Sequence, residues 1–138
     1  MGLIEWSDEL SVKVEVIDEQ HKILIAIIND LDQAIKVDSG KEEMEKILTR
    51  LIVFVQTHFD TEEHLMTQYH FPQEMMHKKE HFSLTVKIGM LYHQQIENQS
   101  SIAVEIRDFL NAWLLHHILV IDKQLGGYLS TRAQPAPA

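Results

Sequence analysis

Apolar residues recur along most of this chain in alternating three- and four-residue steps, the signature of one buried helical face. The first such seam runs Ile17, Leu24, Ile28, Leu31 and Ile35, and predicts a helix that ends at the Asp38-Ser39-Gly40 break. A second runs Met44, Leu48, Leu51, Val55 and Leu65. Ser39 and Glu42 have the spacing of a capping box at its start, and it should close near Gln68. Phe71-Pro72 punctuates next, with Pro72 suited to the first turn of a third helix whose seam is Leu84, Ile88 and Leu91. Asn98 to Ser101 marks another turn. A fourth helix then carries Ile102, Ile106, Leu110, Leu114 and Ile121 until Gly126-Gly127 stops it. Residues 1–16 form an N-terminal arm with Trp6 as its packing anchor, and residues 130–138 are expected to be a disordered tail. Four amphipathic helices on short links predict an all-α fold, an antiparallel up-down-up-down four-helix bundle over residues 17–129.

Composition restricts the chemistry of that bundle. With 138 residues the chain can close one core without covalent staples, and with no cysteine it excludes disulfides, thiolate ligands and cysteine nucleophiles. Any metal must be held by imidazole and carboxylate groups. The 12 basic and 21 acidic residues give a formal charge of −9, which repels nucleic acid and anionic membranes alike. No apolar run approaches the ~20 residues of a membrane span, and Met1 to Asp8 lacks the order of a secretion signal, so a cytoplasmic address is expected. The unusual feature is nine histidines.

Several of them fall in the gaps of the apolar seams. His21 lies in step between Ile17 and Leu24, and His58 and Glu62 between Val55 and Leu65. His77 and His81 precede Leu84, and His117 sits between Leu114 and Ile121. One histidine on an apolar face is usually a hydrogen-bonded core residue. Six polar residues facing one core are different, because each costs on the order of several kcal/mol to bury without a partner. A metal is the simplest compensation. Ligands of one site must also share one height in the bundle. Counted from the turns near residues 39, 70 and 98, the His21, His58/Glu62, His77/His81 and His117 positions agree to about one turn on every neighbouring pair of helices. His64, His70, His93 and His116 fail the seam test and are assigned to the surface or to turns. Asp122 lies five residues after His117, about 140° around an ideal helix, and spacing alone does not nominate it.

Ile17-Asp18-Glu19-Gln20-His21, His58-Phe59 with Glu62 and Glu63, His77 with His81, and Trp113-Leu114 with His117-Ile118 and Asp122 together resemble the hemerythrin family. The likeness spans Trp6 to about Lys123 and is nearer to bacterial single-domain members than to the shorter animal ones. It implies two irons per chain with a bridging oxo or hydroxo group. His77, His81 and His117 would bind one iron, His21 and His58 the other, and Glu62 and Asp122 would bridge both. Two octahedral irons so shared leave the three-histidine iron closed and the two-histidine iron with one open position for dioxygen.

By the same resemblance Leu24, Phe59, Trp113, Leu114 and Ile118 would wall a dry dioxygen pocket, which protects the irons from oxidation. The implied function is reversible dioxygen binding for carriage, storage or delivery to an oxygen-consuming enzyme, by a monomer that is not itself an enzyme. A sensor of dioxygen or nitric oxide and an iron buffer could use the same ligands. A di-iron oxidase is disfavoured, because such enzymes pair Glu-x-x-His segments within a four-carboxylate set and no such pair lies at the site.

Overall fold

A computed structural model describes residues 2–97 and 102–132. Its elements are a short 3-10 turn at Asp8–Leu10, then α1 (Glu15–Lys36), α2 (Lys41–Gln68), α3 (Glu74–Glu97) and α4 (Ala103–His116). A π turn (His117–Asp122) and α5 (Lys123–Arg132) continue α4 as one rod. α1 packs on α2 and α4, and α2 packs on α3, which is the neighbour order of an up-down-up-down bundle. Among the described residues there is no strand, and no helix is long and apolar enough to cross a membrane. The Asn98–Ser101 turn and residues 133–138 of the expected tail lie outside the described residues.

Most of the expected seam positions are buried, Ile17, Leu24, Ile28 and Leu31 on α1, Met44, Leu48, Leu51 and Val55 on α2, Leu84, Ile88 and Leu91 on α3, and Ile106, Leu110 and Leu114 on α4, while Ile35, Ile102 and Ile121 are half-buried. Near the end of α2 the buried residue is Met66, while the expected Leu65 is only half-buried. Steps of three and four from Glu62 both continue a helical face, and the more flexible thioether took the interior position.

Helix ends depart from the expectations in instructive ways. The Ser39–Glu42 capping box does not form. Ser39 N–H instead bonds back to the Ala34 carbonyl at 3.0 Å, with Asp38 at φ 52°, and closes α1 in a Schellman-type turn. Gly40 (φ 94°) then leads into α2, a conformation that favours glycine. α2 closes the same way, with His70 at φ 55° and Phe71 N–H bonded to the Met66 carbonyl at 2.9 Å. Pro72 lies in the turn before α3 rather than inside its first turn.

The largest departure is that Gly126-Gly127 does not stop the last helix, which runs on to Arg132, so residues 130–132 of the expected tail are helical. Gly126 serves a different need. A Cβ there would sit 2.0 Å from the Val12 carbonyl oxygen, so the N-terminal arm crosses α5 where only hydrogen leaves room.

The arm is tied down by side chains of α1. Asn29 accepts the Ile4 N–H (2.9 Å) and donates to the Ile4 carbonyl (2.8 Å). Asp18 accepts Val12 N–H (2.8 Å) and Ser11 Oγ–H (2.6 Å) in the first turn of α1, where an acid is favoured. Ile4, Leu10, Val12 and Val14 anchor the arm. The expected anchor, Trp6, is only half-buried and packs under the Lys22 ammonium, 5.1 Å from its ring centroid.

Candidate metal centre

Regular helix geometry places five of the seven candidate residues directly. His58 with Glu62, and His77 with His81, are i, i+4 pairs that project from one face of α2 and of α3, and His21 faces them from α1. His117 and Asp122 come from the π turn. Within it the Lys123 N–H bonds back five residues to the Ile118 carbonyl, so residues five apart return to one face. This insertion carries Asp122 across the 140° that an ideal α-helix would leave between it and His117. None of the seven side chains is more than 2 % exposed.

All seven gather into two groups that share both carboxylates. Glu62, His77, His81, His117 and Asp122 bring one ligand atom each within 4.8 Å of one another, and His21, His58, Glu62 and Asp122 do the same. Each carboxylate divides its oxygens between the groups. Glu62 Oε1 lies 3.2 Å from His77 Nε2 and 2.9 Å from His81 Nε2. Asp122 Oδ1 lies 3.0 Å from His77 Nε2 and 2.9 Å from His117 Nε2. On the other side, Glu62 Oε2 is 3.3 Å from His58 Nε2, and Asp122 Oδ2 is 2.7 Å from His21 Nε2. Five imidazoles turn Nε2 inward, three to one side and two to the other.

Two observations show that this arrangement fits a cation. His58 Nε2, His117 Nε2, Glu62 Oε2 and Asp122 Oδ1 are buried without a hydrogen-bond partner, although close neighbours lie around them. Lone pairs aimed at a common point, rather than at each other, leave such contacts. Charge gives the second. Burial opposes ionisation of Glu62 and Asp122, yet the surrounding imidazoles hold both well below the usual carboxylate range. Burial likewise lowers the pKa of His58, His77 and His117, and the facing carboxylates reverse this and raise each to about 9. The core thus holds protons where cations would otherwise balance its two anions.

Of the expected pocket residues, Leu24, Phe59, Leu114 and Ile118 are buried and Trp113 is half-buried. Phe59 stacks on His81 with centroids 3.8 Å apart, Trp113 stacks on His117 at 4.5 Å, and the two aromatic rings meet at 6.0 Å. They cover the imidazoles on the side of the three-histidine group. His64, His70, His93 and His116 are exposed, and His93 pairs with Glu97 at 3.1 Å. The seam test missed two outer partners, Gln20 and Glu63, which hydrogen-bond to His58 and His81. Each is the sequence neighbour of a ligand position, one residue off the apolar face, and both stand in the segments that carry the family resemblance, which assigned them no role.

Residues 12–129 match the family model described as the Hemerythrin HHE cation binding domain. A bacteriohemerythrin of Stenotrophomonas maltophilia is 29 % identical over 118 residues, covering 86 % of this chain and 76 % of that protein. A bacteriohemerythrin of Pseudomonas aeruginosa strain LESB58 is 30 % identical, covering 94 % of this chain and 95 % of that protein. A crystal structure of wild-type hemerythrin has a TM-score of 0.85 at 30 % identity, covering 93 % of this chain and 98 % of that one. With the family model spanning most of the chain and the buried His/Glu/Asp cluster at its centre, the protein belongs to the hemerythrin family of non-haem iron proteins.

Proposed function

We propose that the centre holds two iron ions with a bridging oxo or hydroxo group and binds dioxygen reversibly, for carriage, storage or delivery to an oxygen-consuming enzyme in the cytoplasm. The observation that supports this most is the uneven division of imidazoles across two carboxylates that each face both groups. His77, His81 and His117 would hold one iron, His21 and His58 the other, and Glu62 and Asp122 would bridge them. Iron held there would supply the electrons that dioxygen binding draws on, and the two-histidine position, with one imidazole fewer, would be where dioxygen binds.

The remaining chemistry belongs to the chain. Leu24, Leu114 and Ile118 exclude water, and Phe59 and Trp113 clamp two of the imidazole rings. The chain has no cysteine, and among the described residues no third carboxylate joins the two groups of ligand atoms, which favours binding over oxidation of a substrate.

The test is the absorption spectrum of the reduced, iron-loaded protein under argon, then air, then argon again. A visible charge-transfer band that appears in air and disappears under argon supports the reading. A single irreversible conversion to the ferric spectrum overturns it in favour of an oxidase or an iron store.

A further inference from the structure

Imidazoles that present Nε2 inward keep Nδ1 on the outer side, and there the two groups differ. His81 Nδ1 lies 2.9 Å from Glu63 Oε2, and His58 Nδ1 lies 2.7 Å from Gln20 Oε1. The Nδ1 atoms of His21 and His117 are buried with no partner. Of these two outer partners one is an anion, and it belongs to the three-histidine group.

Both contacts have a defined direction. Glu63 as a carboxylate can only accept, so His81 must donate from Nδ1 and keep its lone pair at Nε2. Gln20 is oriented by its other end. Thr61 Oγ–H donates to the Thr57 carbonyl at 3.0 Å, so Thr61 must accept from Gln20 Nε2, at 3.0 Å. The Gln20 carbonyl is then left to face His58, whose Nδ1–H donates to it. Each contact sets the tautomer that frees Nε2 for a metal. They differ in strength, because an anionic acceptor polarises the ring N–H more than an amide does and makes the imidazole the better donor.

We propose that Glu63 and Gln20 are positioning residues that grade the two metal positions, Glu63 strengthening the three-histidine position through His81 and Gln20 fixing His58 while leaving its position the weaker. The proposal rests on the two-metal reading above. It assigns an order of filling, with the three-histidine position first and the two-histidine position second.

The experiment is titration of the full-length, metal-free protein with cobalt(II), followed by visible absorption and by proton NMR of the shifted Nδ1–H signals of cobalt-bound histidines. The wild type should bind two ions in two distinguishable steps. Glu63→Gln should weaken the first step by about 10- to 100-fold and change the His81 Nδ1–H signal, with the second step unmoved. Gln20→Glu should tighten the second step and narrow the gap between them. Two ions bound with both affinities unchanged in Glu63→Gln, or both weakened equally, overturn the grading alone. Fewer than two ions bound by the wild type overturns the two-metal reading and the grading with it.

Discussion

Two buried acid sites in this bundle are neutralised in opposite ways. Asp32 is 3 % exposed, and the chain itself supplies its counter-charges, Lys36 Nζ at 2.9 Å from one turn along α1 and Arg107 Nη1 at 3.1 Å from α4. The hydrogen bond from Lys36 is the main reason its carboxyl is held below the usual range, and burial opposes it. Glu62 and Asp122 are more deeply buried, and the ion partners facing them are all imidazoles. At one level the sequence completes its own electrostatics. At the other it assembles a set of donors in which protons stand in for ions from outside.

The largest expected effect comes from breaking the incomplete site. His77→Ala removes the imidazole whose Nε2 lies within 3.2 Å of both Glu62 Oε1 and Asp122 Oδ1, and iron analysis should fall from two ions per chain to one. Two irons with an unchanged spectrum would show that the ligand assignment is wrong.

Next comes the pH response of the metal-free protein. His58, His77 and His117 hold protons to about pH 9 in the folded state, against 6.5 as the ordinary value. That stabilisation is complete below pH 6.5 and is lost as pH rises through 9. The Tm of the metal-free protein should therefore drop by several degrees over this window, each kcal/mol being worth about 4 °C in a domain of this size. Iron-loaded protein, in which metal has displaced those protons, should hold its Tm, and loading at pH 7 should release protons. Parallel curves for the two forms would contradict the view that protons stand in for cations.

A smaller effect is expected at the self-neutralised site. Asp32→Ala leaves Arg107, only 20 % exposed, with the exposed Asp108 as its remaining carboxylate partner, and should cost about 1–3 kcal/mol in urea denaturation, with iron content unchanged. The exposed Arg50–Asp30 pair provides the lower reference, and Asp30→Ala should cost less than about 1 kcal/mol.

The same contrast separates what the sequence made legible from what it concealed. His58/Glu62 and His77/His81 could be read because i, i+4 spacing maps onto one helical face whatever surrounds it. His21 and His117 followed from their places in apolar seams. Asp122 could not be read in this way, because the π turn that delivers it is a choice of backbone hydrogen bonds, and nothing in the local pattern distinguishes it from an α-helix with an aspartate on its flank. Gly126-Gly127 misled for a related reason. Glycine marks helix ends by its freedom of rotation, but Gly126 answers a steric demand from Val12, which is far away in sequence and invisible until the fold is assembled. Leu65 and Met66 show the mildest form of the problem, two apolar neighbours of which only packing could choose one.

The seating of the arm on Gly126 also has a consequence for the order in which this protein is made. Val12 and Gly126 meet although they lie far apart in sequence, and so do His21 and Asp122, whose side chains approach to 2.7 Å across 101 residues. A ribosome delivers the arm and α1 well before α5. Until the last rod emerges, α1 lacks the acid that faces its histidine, and the arm lacks the groove that seats it. A nascent chain can therefore offer iron only a partial set of ligands. The step that completes the metal site is the one that seats the arm against α5.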